Sequence, residues 1–205
     1  MLLCDIGNTS YHFFDGSHDY REDVSSFDPF TCKEKVYYIN VNATVDAKLK
    51  ACDNWIDLAL HVKWENYYET MGIDRVMACE AVSTALVIDA GSAITIDLVK
   101  ERKHEGGFIY PGIIAMSECY TRLSSRLEYS FNFDLDLDKM PKNSQDAITY
   151  GFLATLKAEV IRHEMPIILT GGDAHRLLKI FPEAKIDRLL LFRGMQTLIK
   201  KGEPC

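Results

Sequence analysis

Apolar and polar residues fall in short alternating blocks from the start of the chain. Leu2-Leu3-Cys4 leads through Asp5-Ile6-Gly7-Asn8-Thr9 into the β-rich Ser10-Tyr11-His12-Phe13-Phe14, the pattern of two strands folded back around a tight turn. The same order returns in Leu86-Val87-Ile88-Asp89-Ala90-Gly91-Ser92-Ala93-Ile94-Thr95-Ile96-Asp97. Each copy runs apolar strand, Asp-x-Gly, small hydroxylated residue, second strand. Asp15-Gly16 marks another hairpin turn, so the opening reads as a β-meander. Val36-Tyr37-Tyr38-Ile39-Asn40-Val41 is a further strand, after which Asn42 or Thr44 caps a short helix over residues 45–52. Residues 58–62 are one more short apolar run, and strands dominate to about residue 62.

The period then changes. After a polar and aromatic loop over residues 64–72, Ile73, Met77 and Ala81, with Val76 and Cys79, recur at helical spacing. Asp74 and Arg75 fall in the first turn of that helix, where an acid is favoured by the helix dipole. Beyond the second hairpin comes the charged turn Lys100-Glu101-Arg102-Lys103 and a third strand ending in Gly106-Gly107-Phe108-Ile109-Tyr110-Pro111-Gly112. So many glycines suit a close backbone approach to a ligand or a neighbouring strand. A helix is expected over residues 113–127, with Ile114, Met116 and Tyr120 inward. Residues 131–138 alternate strictly and read as an edge strand or an extended connection; their aspartates lack the glycine and terminal acid of a calcium loop. Asn143-Ser144-Gln145-Asp146-Ala147 caps a long helix to about residue 164, with Ala147, Ile148, Phe152 and Leu156 on one face. Pro166-Ile167-Ile168-Leu169-Thr170 is a buried strand running into Gly171-Gly172-Asp173, and a helix starts near Asp173. A last strand over residues 188–192 and a terminal helix from Gly194 complete the reading.

The duplicated Asp-x-Gly turn has a chemical meaning. Glycine lets the turn approach a phosphate, and backbone N–H groups and a Ser or Thr hydroxyl donate to its oxygens. The aspartate would hold a metal ion, usually through water. One such turn is common at ordinary hairpins; two, at corresponding places in two halves, are far less so. The 205 residues suffice for two small domains, and a net charge of −7 with scattered basic residues argues against nucleic-acid or membrane-surface partners. No segment reads as a signal peptide or a membrane span. The six cysteines, Cys4, Cys32, Cys52, Cys79, Cys119 and Cys205, are well separated and lack zinc spacing, as expected of free thiols in a reducing cytoplasm. His12 and His104 read as ordinary strand residues.

Taken together, Asp5-Ile6-Gly7-Asn8-Thr9, Gly72-Ile73-Asp74-Arg75, Asp89-Ala90-Gly91-Ser92-Ala93, Gly106-Gly107-Phe108-Ile109-Tyr110-Pro111-Gly112 and Thr170-Gly171-Gly172-Asp173 resemble type III pantothenate kinases. The resemblance covers nearly the whole chain, with Ser92 and Ser144 standing where that family more often has threonine. It implies an α/β actin-like ATPase fold of two ribonuclease-H-like domains, residues 1–83 and 84–205, with the active cleft between them. It also implies transfer of the ATP γ-phosphoryl group to pantothenate, the first step of coenzyme A synthesis, by a cytoplasmic enzyme that is usually a homodimer. By the same resemblance Asp74 is the catalytic base, and Gly72, Ile73, Asp74, Arg75, Tyr68 and Ser144 bind substrate, although Tyr67 competes with Tyr68 for that role. Asp5, Gly7, Asn8, Thr9, Gly91, Ser92, Gly171 and Gly172 serve ATP and its phosphates. Asp5 attends Mg²⁺ through water, and Asp89 holds a monovalent cation, K⁺ or NH₄⁺. Two other readings stay open: another small-molecule kinase or phosphohydrolase on this fold, or a nucleotide-binding regulatory relative without catalysis.

Overall fold

A computed structural model describes residues 1–202, so Cys205 lies outside the described residues. The chain divides into two compact units. The first opens with β1 (Leu2–Ile6), β2 (Ser10–Phe14), β3 (Asp19–Asp23), β4 (Val36–Asn40), the short helix α1 (Asp46–Lys50), β5 (Trp55–Asp57) and α2 (Ile73–Glu80). Its strands form one sheet in the order β3-β2-β1-β4-β5. The two hairpin pairings are antiparallel, and β1–β4 and β4–β5 are parallel.

The second unit carries β6 (Ala85–Ala90), β7 (Ala93–Lys100), β8 (Lys103–Pro111), α3 (Ile113–Leu123), α4 (Ser144–Ile161), β9 (Ile167–Thr170), α5 (Ala174–Leu178) and β10 (Lys185–Ile186). Its sheet order, β8-β7-β6-β9-β10, repeats the first sheet's sequence of two antiparallel and two parallel pairings. The duplication read from the two Asp-x-Gly turns therefore extends to the whole sheet, and the architecture is that of two ribonuclease-H-like folds. The chain returns to the first unit from Leu189 with α6 (Leu190–Gly202). The terminal helix expected in a second domain of residues 84–205 thus packs with the first unit. Gly194 makes this possible, since a Cβ there would overlap the Met77 carbonyl of α2.

Each unit has its own core. In the first, Leu2, Cys4, Ile6, Tyr11, Phe13, Val36 and Tyr38 close over Val45, Leu49 and Trp55. In the second, Leu86, Ile88, Ile94 and Ile96 of the sheet pack with Phe152, Leu153, Leu156 and Val160 of α4 and Leu177 of α5. At roughly 1.5–3 kcal/mol per fully buried large apolar side chain, these clusters are the main force holding each unit together.

Four expectations need correction. Residues 58–61 form a single-turn 3-10 helix capped by Asp57, not a strand. The apolar run at 189–192 enters α6 rather than a strand, because its residues continue a helical stripe through Met195 and Leu198, which periodicity in a four-residue window cannot reveal. In α3 it is Ile113 that is buried, while Ile114 is 68% exposed and Met116 only partly covered. In α4 Ala147 is exposed, and Thr149 and Leu153 share the inner face with Ile148, Phe152 and Leu156. Residues 131–138 are an extended connection of turns without strand pairing.

Candidate active site

In the first unit the β1–β2 turn is closed by the Gly7 N–H, which donates to the Ser10 carbonyl at 3.0 Å. Asp5 is half-buried near the end of β1, while Asn8 and Thr9 are exposed at the tip. The turn is braced from beneath by buried Asn42, whose Nδ2 donates to the Gly7 and Asn8 carbonyls, both at 3.3 Å. The same side chain accepts from the Thr44 N–H at 3.0 Å, so Asn42 caps the single 3-10 turn Ala43–Val45 and not the helix α1 that follows, whose N-cap Val45 has no side-chain cap bond. Asn42 is legible in the sequence as a cap residue, but the element it caps and the brace are not, and the brace joins residues more than thirty positions apart.

The Gly72-Ile73-Asp74-Arg75 turn starts α2, with Gly72 as its N-terminal cap residue. Asp74 folds back so that its Oδ1 accepts from the Arg75 N–H at 2.8 Å. A side chain at Gly72 would meet that carboxylate, which would have to turn away from its present position. Arg75 is 5% exposed, an unusual depth for a cation. Its Nη1 donates to the Tyr68 hydroxyl, and its guanidinium lies 5.6 Å from the centre of the Tyr68 ring. Tyr67 points elsewhere, donating to Glu80 Oε1 at 3.0 Å.

In the second unit the structure brings three motifs into one place. Asp89 lies near the end of β6, opposite Thr170 of β9, and the β6–β7 turn at Gly91-Ser92 is closed by the Gly91 N–H on the Ala93 carbonyl at 3.0 Å. Gly112 packs so tightly on this turn that a Cβ would overlap the Gly91 and Ser92 carbonyl oxygens. Gly171, at φ +86°, passes as closely over the Asp89 carboxylate and the Ala90 carbonyl, and the Asp173 N–H donates to that carbonyl at 2.9 Å. Gly172 is exposed beside it. Ser144 is exposed in the first turn of α4, whose cap is Asn143, with its side chain accepting from the Asp146 N–H at 2.9 Å.

Asp5 and Asp89 each offer carboxylate oxygens, and the Ala90 carbonyl lies beside the Asp89 carboxylate under Gly171; oxygen ligands of this kind fit hard cations such as Mg²⁺ or K⁺. The two histidines have other partners: His12 is paired with Asp19 at 2.9 Å and His104 with Asp97 at 2.8 Å. Cys4, Cys32, Cys52, Cys79 and Cys119 form no disulfide, and no helix of the described residues is long and apolar enough to cross a membrane.

Comparison with known proteins identifies the family and the fold. The family model described as type III pantothenate kinase matches residues 35–163. A Sulfurimonas denitrificans protein named type III pantothenate kinase is 58% identical, with the whole of both chains covered. One of the same name from Campylobacter jejuni is 38% identical over 98% of each chain. A solved Campylobacter jejuni structure named for the Baf family of transcriptional activators superposes with a TM-score of 0.88 at 38% identity, covering 98% of each chain. A Sinorhizobium meliloti structure named for 2-dehydro-3-deoxygalactonokinase, 9% identical with a TM-score of 0.59 over 100% of this chain and 97% of that one, shares the fold alone. Matched from end to end at 58% identity and by the family model over most of its length, the chain belongs to the type III pantothenate kinase family.

Proposed function

We propose that the protein transfers the γ-phosphoryl group of ATP to the primary hydroxyl of pantothenate, giving 4'-phosphopantothenate. The observation that carries this reading is the start of α2. There a carboxylate, Asp74, stands next to a buried guanidinium, Arg75, that is backed by Tyr68. Pantothenate carries a carboxylate at one end and the accepting hydroxyl at the other, and a planar guanidinium suits the first as a carboxylate suits the second. Substrate is held by Arg75, Tyr68 and the Gly72-Ile73 backbone, with Ser144 as a further hydroxyl. Asp74 orients the hydroxyl and takes its proton late.

Phosphoryl transfer passes through a loose transition state, so positioning and charge neutralisation matter more than base strength. The turns at residues 7–9 and 91–92 offer N–H and hydroxyl donors to the phosphates, and the Gly171-Gly172 turn lies toward the adenosine. Mg²⁺ beside Asp5 and a monovalent cation at Asp89 would offset the repulsion between these carboxylates and the triphosphate. The protein works as a homodimer, and Ile109, Ile114 and Leu123 are individually exposed apolar side chains available for contacts between copies. The free thiols and the metabolites involved suit the cytoplasm.

The test is a coupled assay of ADP release with ATP, Mg²⁺ and pantothenate, with potassium and then sodium as sole monovalent cation. Release that needs both pantothenate and potassium is expected. Release without pantothenate would mean another kinase or phosphohydrolase, and no release would favour a regulatory protein.

A further inference from the structure

The two neighbouring tyrosines of the loop before α2 do different work. Tyr67 has extended backbone, φ −136° and ψ 159°, so its side chain and that of Tyr68 leave the chain on opposite sides. Tyr68 reaches back to Arg75 in the first turn of α2, and Tyr67 reaches forward to Glu80 at the helix's last residue. Glu80 is itself pinned: its other carboxylate oxygen, Oε2, meets Lys201 Nζ of α6 at 2.5 Å, and its side chain is only 11% exposed. One helix thus grips the loop at both ends.

From this geometry we infer that Glu80 is a positioning residue for the acceptor substrate: held by Lys201, it fixes Tyr67 and so sets Tyr68 against Arg75. The inference rests on the proposal that Arg75 and Tyr68 hold pantothenate. Glu80 touches no reactant. Its contribution is to remove the freedom of a loop whose residues 64–70 are otherwise mostly exposed, so that the Tyr68 hydroxyl is in place before substrate arrives. Sequence reading passes over Glu80, since an acid at the end of a helix ordinarily opposes the helix dipole. Its partners Tyr67 and Lys201 lie 13 and 121 residues away.

The experiment is steady-state kinetics on the full-length protein carrying Tyr67→Phe, Glu80→Ala, Glu80→Gln or Lys201→Met, with pantothenate and ATP varied separately and thermal melting recorded. Loss of one partly buried hydrogen bond corresponds to about a five- to tenfold change. Tyr67→Phe and Glu80→Ala should raise the KM for pantothenate by that factor while leaving the KM for ATP within about twofold. Glu80→Gln keeps an acceptor for Tyr67 and should restore most of the loss. Lys201→Met should cost only about twofold, because the lysine end of that pair is half exposed. The double variant Tyr67→Phe with Glu80→Ala should be no worse than either alone. Unchanged pantothenate KM in Tyr67→Phe, or equal changes in both KM values with a lowered melting temperature, would overturn the inference and leave Glu80 a structural residue. Tyr67→Phe removes one oxygen atom and decides the question even if Glu80→Ala does not fold. A parent protein without pantothenate-dependent turnover would overturn the kinase reading instead, and the inference with it.

Discussion

Replacing Gly171 by alanine tests the close approach on which the second half of the site depends. The residue sits at φ +86°, where a side chain costs about 1–2 kcal/mol of backbone strain. Its new Cβ would overlap the Ala90 carbonyl oxygen and the Asp89 carboxylate, and overpacking against backbone costs about 1–3 kcal/mol. Relief by shifting the turn would stretch the Asp173 N–H bond to the Ala90 carbonyl, a further loss of about 1 kcal/mol. The sum is about 3–6 kcal/mol, a large share of the roughly 5–15 kcal/mol that holds a domain folded. Gly172→Ala is the control, because nothing stands within 4 Å of a Cβ there and its φ is ordinary. With two units, unfolding need not be two-state, so the readout is hydrogen exchange of the β6 and β9 amides alongside urea denaturation. Gly171→Ala should lose protection in those strands and Gly172→Ala should stay within about 1 kcal/mol of the parent. Equal stability of the two variants would refute the reasoning. The same displacement of Asp89 should weaken potassium activation in Gly171→Ala.

Other outcomes follow from the site and the cores. Asp74→Asn should lower turnover by about a hundredfold, the low end for general-base removal, with ATP binding measured by calorimetry unchanged; unchanged turnover removes Asp74 from its role. Asp89→Asn should flatten the potassium titration, and equal responses of variant and parent would misplace the cation. Asn42→Ala deletes the brace under the Gly7-Asn8 turn and should raise the KM for ATP about tenfold with little effect on pantothenate. Burial pushes the Tyr11 and Tyr38 hydroxyls up from 10 to about 12. Because the folded values lie above the unfolded one, their stabilising effect is whole below pH 10 and fades between pH 10 and about 12. Alkaline titration followed by tyrosinate absorbance and circular dichroism should therefore show late ionisation coupled to loss of the first unit's fold.

What could be read from the chain and what could not divide along a physical line. The hairpins, α2 with Asp74 and Arg75 in its first turn, and the strand entering Gly171 were legible because each is signalled within about a dozen residues. Strict alternation, helical spacing and turn glycines are local properties. The run at residues 189–192 misled because four apolar residues fit a strand or a helix equally well, and the packing of α6 on α2 decides between them. Ile113 faces inward in place of Ile114, since a one-residue difference in a helix's phase turns its face by 100°. In the candidate site, the motifs single out the loops, but no pattern could say that Gly112 and Gly171 close on the same turn region of β6, nor that Tyr67 and Tyr68 diverge. Those facts belong to tertiary contacts, and the separations involved leave no local trace.

The return of α6 to the first unit has a consequence for how the protein is made. A ribosome completes residues 1–82 long before Leu189 emerges, and throughout that interval the surface of α2 at Met77 waits for Gly194. The intervening residues 83–188 are contiguous and carry their own sheet and core, so they can reach a finished structure while the earlier segment is still short of its last helix. The segment translated first is therefore the one that matures last.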